Sequence, residues 1–80
     1  MFYVYMVCCS DNSLYTGITT DLNRRVAEHN NSKRGAKYTR SRRPVKLVYS
    51  SLVGTRSEAM KEECRIKKLS KVKKLDIFNT

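Results

Sequence analysis

Glu63 stands out because its expected surroundings are apolar. Successive helical residues are about 100° apart, and this places Glu63 near the middle of an apolar arc on a helix predicted from about Glu58 to Leu69. The other members of that arc are Ala59, Met60, Cys64, Ile66 and Leu69. A carboxylate in such a setting costs free energy unless a cation meets it. We therefore expect either a metal ion bound at Glu63 or a structural ion pair with an internal arginine.

Two further candidates lie on a helix predicted to start at Thr20 or Asp21, either of which could cap it, and to run to about His29. Its apolar stripe consists of Leu22, Val26 and His29. Arg25 borders this stripe, so we expect its guanidinium to reach over the sheet, where it could bind a phosphate through two hydrogen bonds. His29 lies on the stripe itself, where a packing role and a functional role are both open.

Tyrosine is frequent near the N-terminus, at Tyr3, Tyr5 and Tyr15. Aromatic residues suit strands, so packing alone would explain any one of them. A tyrosine hydroxyl can also orient a water molecule, or take its proton when a nearby cation lowers a pKa that is ordinarily about 10. The tyrosines alone do not separate these two roles.

The elements that must position these side chains follow from the order of strand and helix signals. An aromatic and β-branched run predicts a strand over Phe2–Cys8, and Leu14–Thr19 returns as its hairpin partner. After the first helix come a third strand over 45–49, a helix capped by Ser57, and a short helix from Ser70. This ββαβα(α) order predicts a single α+β domain over residues 1–80, with a three-stranded antiparallel sheet flanked by helices.

The hairpin register decides whether Tyr5 and Tyr15 can share a site. Side chains alternate across a strand, so a two-residue turn at Asp11-Asn12 would place the two tyrosines on opposite faces of the sheet. A shared site requires a loop of odd length or a β-bulge. We therefore predict one of these irregularities in the hairpin.

The chain is strongly basic. Seventeen Lys and Arg residues face seven Asp and Glu, which gives a formal net charge of +10. The basic segment, residues 33–46, contains no acidic residue. Its seven basic residues are Lys33, Arg34, Lys37, Arg40, Arg42, Arg43 and Lys46. A nucleic acid is the first candidate partner, an anionic membrane surface is the second, and a merely soluble basic protein is the third reading.

Other classes are disfavoured by the cysteines and by the apolar N-terminus. An odd number of cysteines, two of them adjacent, does not suit a disulfide framework, and no zinc spacing accompanies them. The apolar run from Phe2 to Cys9 is far too short to span a bilayer. We expect no membrane association and a reducing intracellular location: the cytoplasm, a nucleoid or a nucleus.

Together, the residues resemble the GIY-YIG nuclease superfamily. Tyr3-Val4-Tyr5 stands where GIY would be, Tyr15-Thr16-Gly17 stands where YIG would be, Arg25 follows Tyr15 by ten positions, and Glu63 lies on a later helix. The stretch from Gly35 to Arg40, followed by Arg42-Arg43-Pro44-Val45, is similar to the small stand-alone bacterial members. The resemblance covers nearly the whole chain. It departs from the family at Tyr3, which replaces a glycine, and at Ile18, where repair nucleases carry a lysine.

This resemblance implies cleavage of phosphodiester bonds with one divalent metal ion. Glu63 would hold Mg²⁺ or Mn²⁺, and Arg25 would steady the scissile phosphate. Tyr5 and Tyr15 would activate and place the attacking water, and either of them could be the base. His29 matches a position that is often histidine, and Asn79 is the candidate for a late asparagine found in several members.

The sequence therefore predicts a metal-dependent nuclease that acts on DNA with little sequence preference, on branched, nicked or single-stranded forms among others, and RNA is also a candidate. Nucleic-acid contacts are assigned to Lys33, Arg34, Lys37, Arg40, Arg42 and Arg43. Two alternatives remain open at this point. The chain could be a non-catalytic DNA- or RNA-binding module, or an adaptor that completes a larger nuclease through a protein partner that the sequence does not identify.

Overall fold

Three strands form one antiparallel sheet in which Phe2–Cys8 lies between Leu14–Thr19 and Lys46–Gly54, with helices on both faces. The computed structural model describes residues 1–78, so Asn79 lies outside the described residues. The elements are β1 (Phe2–Cys8), β2 (Leu14–Thr19), α1 (Leu22–Asn31), α2 (Lys37–Arg40), β3 (Lys46–Gly54), α3 (Arg56–Lys67) and α4 (Lys71–Phe78). The predicted α+β class is confirmed. No helix among these residues is both long and apolar enough to cross a bilayer.

The hairpin between β1 and β2 has a loop of odd length. Residues 9–13 connect the strands, and the register places Tyr5 opposite Gly17 and Val7 opposite Tyr15. Asn12 adopts a left-handed conformation (φ 68°), which asparagine tolerates better than most residues. Because directly opposed residues point to the same side of a sheet, Tyr5 and Tyr15 share a face, as predicted.

The central strand is buried on both sides, which explains its continuous apolar run. On one face, Tyr5 and Val7 pack with Leu22 and Val26 of α1. On the other face, Val4 and Met6 pack with side chains of α3 and α4. We call these the tyrosine face and the α3 face. The three cysteines are free thiols, and the strand-flanking Cys9 is buried.

The elements differ from the prediction in several details. The cap of α3 is Thr55, not Ser57, because Thr55 and Glu58 form a reciprocal capping box in which each side chain accepts the other's backbone N–H. The third strand runs on to Gly54. The short helix α2 was not predicted, since four residues carry too little periodicity to reveal a helix.

The apolar arc predicted for α3 is only partly correct. Ala59 and Ile66 are fully buried against the α3 face, but Met60 is 48% exposed and Cys64 is also exposed. A three-stranded sheet is narrow, so α3 buries one stripe and leaves its Met60–Cys64 side in solvent. Glu63 is consequently half-buried beside that stripe.

Candidate active site

The Tyr5 side chain lies across the backbone of β2 at Gly17. A Cβ atom at Gly17 would be 2.6 Å from the Tyr5 hydroxyl oxygen, so only glycine leaves room for the ring there. The Tyr5 side chain is 1% exposed, and its hydroxyl lies 2.7 Å from His29 Nε2. Gly17 of Tyr15-Thr16-Gly17 therefore makes space for Tyr5 of Tyr3-Val4-Tyr5.

His29 is fully buried and has a hydrogen-bond partner at each ring nitrogen. Its Nδ1 lies 2.9 Å from the Thr39 hydroxyl, which in turn lies 2.9 Å from the Ala36 carbonyl oxygen. Burial, and then the positive charge of Arg25, lowers the pKa of His29 from 6.5 to about 4. The imidazole is therefore neutral at pH 7, with one nitrogen protonated and one able to accept a proton.

Arg25, four residues before His29 on α1, is half-buried. Its Nη1 donates to Glu28 Oε1 at 3.0 Å and to the Arg34 carbonyl at 2.8 Å. Burial raises the pKa of Tyr5 to about 12, while the nearby positive charge of Arg25 acts in the opposite direction. The guanidinium is thus next to the Tyr5 hydroxyl and still 23% exposed, where an incoming anion can meet it.

Glu63 belongs to a helix on the α3 face, and its charge nevertheless acts on Tyr5. The negative charge of the Glu63 carboxylate contributes to raising the pKa of Tyr5, though less than burial and Tyr15 do. Glu63 Oε2 is 3.4 Å from Lys67 Nζ, one helical turn away, and the Glu63 side chain is 21% exposed. The alternative of a buried ion pair with an internal arginine is therefore wrong.

Tyr15 lies beside this group rather than inside it. Its ring packs edge-on against His29, with centroids 5.3 Å apart, and is stacked with Tyr38 at 5.9 Å. The Arg42 guanidinium lies 4.0 Å from the centre of the Tyr38 ring and forms an ion pair with Asp11. Tyr38 is 39% exposed, so the stacked rings reach the surface next to the site.

The basic segment is less uniformly exposed than predicted. Its exposed members are Lys33, Arg34, Lys37, Arg40 and Lys46. Arg42 and Arg43 are half-buried, and Arg43 donates hydrogen bonds to the carbonyls of His29 and Ser32 near the C-terminal end of α1. Backbone carbonyls at a helix end lack partners within the helix, so Arg43 serves the fold. A run of charges in a sequence does not reveal which members have such partners.

The predicted metal ligand stands alone. Within residues 1–78, no cluster of three or more His, Cys, Asp or Glu side chains could hold a metal ion. A single accessible carboxylate nevertheless fits Mg²⁺, which is held by one or two carboxylates together with water and substrate phosphates. Glu63 contacts Lys67 through only one carboxylate oxygen, at the long distance of 3.4 Å, so its other oxygen can accept a ligand.

The sequence pattern does not single out Thr39, which contacts His29, or Tyr38, which stacks with Tyr15. Both lie in the basic segment, where the charged residues dominate the pattern, and α2 is too short to mark one side as buried. Thr39 is nevertheless fully buried. The one available signal was an uncharged pair, Tyr38-Thr39, between Lys37 and Arg40.

The tyrosine face thus brings together the Tyr5 hydroxyl, the Arg25 guanidinium and the buried His29 imidazole, with the Tyr15 ring against His29. A family model described as the GIY-YIG catalytic domain matches residues 1–76, and the chain belongs to this family.

Several of its relatives are named UPF0213 proteins. One from Desulfotalea psychrophila is 58% identical over 73 residues, which is 91% of this chain and 66% of that protein. One from Halobacterium salinarum is 53% identical over 98% of this chain and 100% of its own length. Among solved structures, the UPF0213 protein BH0048 from Bacillus halodurans has a TM-score of 0.60 at 46% identity, over 96% of this chain and 82% of that one. The protein EF2693 from E. faecalis has a TM-score of 0.61 at 47% identity, over 94% and 80%.

Proposed function

We propose that this protein is a nuclease that hydrolyses phosphodiester bonds in DNA with the help of one divalent metal ion, acting as a single domain. The observation that carries the proposal is the Tyr5 hydroxyl, 2.7 Å from a neutral, buried His29 and next to the Arg25 guanidinium. Such a hydroxyl can take a proton from water if it can pass its own proton on.

Of the two tyrosines, Tyr5 has the better geometry for the base. With a pKa of about 12 it would be a poor base alone. In a coupled transfer, the attacking water gives a proton to the Tyr5 oxygen while the Tyr5 proton moves to His29 Nε2, so no free phenolate has to form. The new P–O bond forms as the bond to the leaving oxygen breaks, and that oxygen takes a proton from solvent. His29 then returns its proton through Tyr5 to solvent, which resets the site. Tyr15, at the edge of His29, is assigned to placing the water.

Substrate binding would favour this transfer. The positive charge of Arg25 is one cause of the low pKa of His29. A phosphate bound to Arg25 offsets that charge, which raises the proton affinity of the imidazole at the moment when it must accept a proton. Arg25 therefore has two roles in the proposal: it steadies the phosphate, and it makes His29 more basic only when the phosphate is present.

Glu63 is the residue that would hold the metal ion. Mg²⁺ or Mn²⁺ bound there would supply positive charge to the phosphoryl oxygens. Because the described residues offer one carboxylate and no cluster, we expect metal affinity to be low until substrate phosphates complete the coordination.

The exposed part of the basic segment is assigned to the phosphate backbone. Contacts of this kind carry no sequence information, which fits a nuclease with little sequence preference. Branched, nicked and single-stranded DNA are the proposed substrates, with RNA as a further candidate, and the proposed location is the cytoplasm, the nucleoid or the nucleus.

Cleavage assays on these DNA and RNA forms, with and without Mg²⁺ or Mn²⁺, test the proposal. Glu63→Gln keeps the shape of the side chain and removes the ligand charge, so we expect the cleavage rate to fall by at least about 100-fold while nucleic-acid binding persists. The matched control is Glu62→Gln, which removes a half-buried carboxylate paired with Arg65 on the same helix. It should leave cleavage nearly unchanged.

Stability measurements separate chemistry from folding. The pair of Glu63 with Lys67 is a partly exposed i,i+4 pair, and such pairs contribute about 0.5 kcal/mol or less. Glu63→Gln should therefore melt close to the wild type. Metal-independent cleavage, or equal losses in the two glutamate variants, would contradict the role of Glu63. Binding without any cutting would select the non-catalytic module instead.

A further inference from the structure

Thr39 is a buried hydroxyl between two groups with which it can hydrogen-bond. It is 0% exposed and lies on α2, whose Lys37 and Arg40 point to solvent. Its oxygen is 2.9 Å from the Ala36 carbonyl oxygen and 2.9 Å from His29 Nδ1. A hydroxyl has one proton and a carbonyl oxygen can only accept. If the proton goes to Ala36, the Thr39 oxygen must accept a proton from His29 Nδ1.

The other side of the imidazole leads to the same assignment independently. Among residues 1–78, the Tyr5 hydroxyl has one hydrogen-bond partner, His29 Nε2, at 2.7 Å. If Nε2 carried the proton, the Tyr5 hydroxyl would have no acceptor for its own proton among these residues. Nε2 must therefore be unprotonated and Nδ1 must carry the proton.

We propose that Thr39 is a positioning residue, whose hydroxyl holds His29 in the Nδ1–H tautomer and so keeps the Nε2 lone pair directed at the Tyr5 hydroxyl. The chain of donors runs from Tyr5 to His29, from His29 to Thr39, and from Thr39 to the Ala36 carbonyl. The consequence for catalysis rests on the proposed nuclease function, whereas the tautomer does not.

Removing the hydroxyl would leave His29 Nδ1–H buried without its acceptor. Losing the acceptor of a buried donor costs free energy, and a neutral imidazole can avoid that cost by moving its proton to the other nitrogen. In the Nε2–H form the ring donates toward Tyr5 and can no longer take the tyrosine proton. The site would keep all of its proposed catalytic residues and lose its proton acceptor.

The tautomer can be measured directly, because His29 is the only histidine in the chain. The ¹⁵N chemical shifts of its two ring nitrogens at pH 7 report which nitrogen is protonated. We expect the Nδ1–H tautomer in the wild type and in Thr39→Ser, which keeps the hydroxyl. Thr39→Val, which keeps the shape and removes the hydroxyl, should shift the population toward Nε2–H. A wild type in the Nε2–H form would overturn the proposal without any variant.

Kinetics on the same proteins give the functional consequence. In Thr39→Val we expect the maximal cleavage rate to fall at least about tenfold, with nucleic-acid affinity close to that of the wild type, and Thr39→Ser to recover most of the rate. Normal cleavage with an unchanged tautomer in Thr39→Val would refute the positioning role and leave the nuclease proposal standing. A wild type that shows the Thr39-dependent tautomer but cuts no substrate would refute the nuclease proposal alone.

Discussion

His29 shows how one buried side chain can be both a structural element and a reactive group. It is fully enclosed, yet both ring nitrogens have hydrogen-bond partners, so burial does not leave an unsatisfied polar atom. The same burial disfavours the charged form and lowers its pKa to about 4. The packing role and the functional role that the sequence left open are therefore compatible.

This pKa makes folding stability depend on pH in a defined window. An unfolded chain protonates His29 near pH 6.5, whereas the folded protein does so only near pH 4. The contribution of neutral His29 to the free energy of unfolding is thus fully present above pH 6.5. It is lost as the pH falls toward 4, because in this range only the unfolded state binds the proton. The loss should be about 2 kcal/mol between pH 7.5 and pH 5. Urea unfolding of the wild type and of His29→Gln measures it, and an equal slope in the two proteins would show that the pKa is not lowered.

At the level of elements, the hairpin and α1 bring the tyrosine-face residues together. The five-residue loop sets a register in which Tyr5 faces Gly17 across the strands, and the ring then extends over the glycine to His29. The segment Tyr15-Thr16-Gly17 therefore has two roles. It provides the hydroxyl of Tyr15, and at Gly17 it leaves the space that the Tyr5 ring occupies. The pairing of β1 with β2, rather than proximity in the sequence, explains why the segments Tyr3–Tyr5 and Tyr15–Gly17 lie together.

Gly17→Ala tests this crossing. The new methyl group would lie 2.6 Å from the Tyr5 hydroxyl oxygen and 2.8 Å from Cζ, and the ring is buried and cannot swing into solvent. We expect a loss of about 1–3 kcal/mol of stability, as for overpacked cores, together with loss of the bond to His29. Tyr5→Phe should cost less in the Gly17→Ala background than in the wild type, because that bond is already broken. Additive losses in a double-mutant cycle of thermal unfolding would contradict the contact.

Local signals predicted the hairpin strands to the residue, because aromatic and β-branched runs and turn residues act over short distances. The predicted burial of the apolar arc is wrong at Met60 and Cys64. Helical periodicity shows which residues are apolar, but it does not show how wide the sheet is that must cover them. The roles of Arg43 and Thr39 depend on partners that the fold supplies, His29 and the turns around it. A sequence pattern does not contain those contacts.

For the molecule as a whole, the excess positive charge falls in two separate segments of the chain. One is the basic segment, and the other runs from the end of α3 into α4, where Lys68, Lys71 and Lys73 are exposed. In the ion pairs found among residues 1–78, Lys33, Lys37 and Arg40 take no part, and neither do these three lysines. Both segments are therefore available to phosphate, but only the first is joined to the site, through the bond from Arg25 to the Arg34 carbonyl.

Salt dependence of binding distinguishes the two segments. Each phosphate contact releases counterions and contributes about one unit to the slope of log K against log[salt], whatever the base sequence. Replacing Lys33, Lys37 and Arg40 by alanine should lower the slope by up to about three and weaken binding to all sequences alike. Arg43 is left intact because it supports α1.

The matched control replaces Lys68, Lys71 and Lys73 by alanine. It removes the same charge and should change the slope much less. An unchanged slope in the first variant, or equal changes in both, would mean that net charge attracts the nucleic acid and that the basic segment does not bind its backbone.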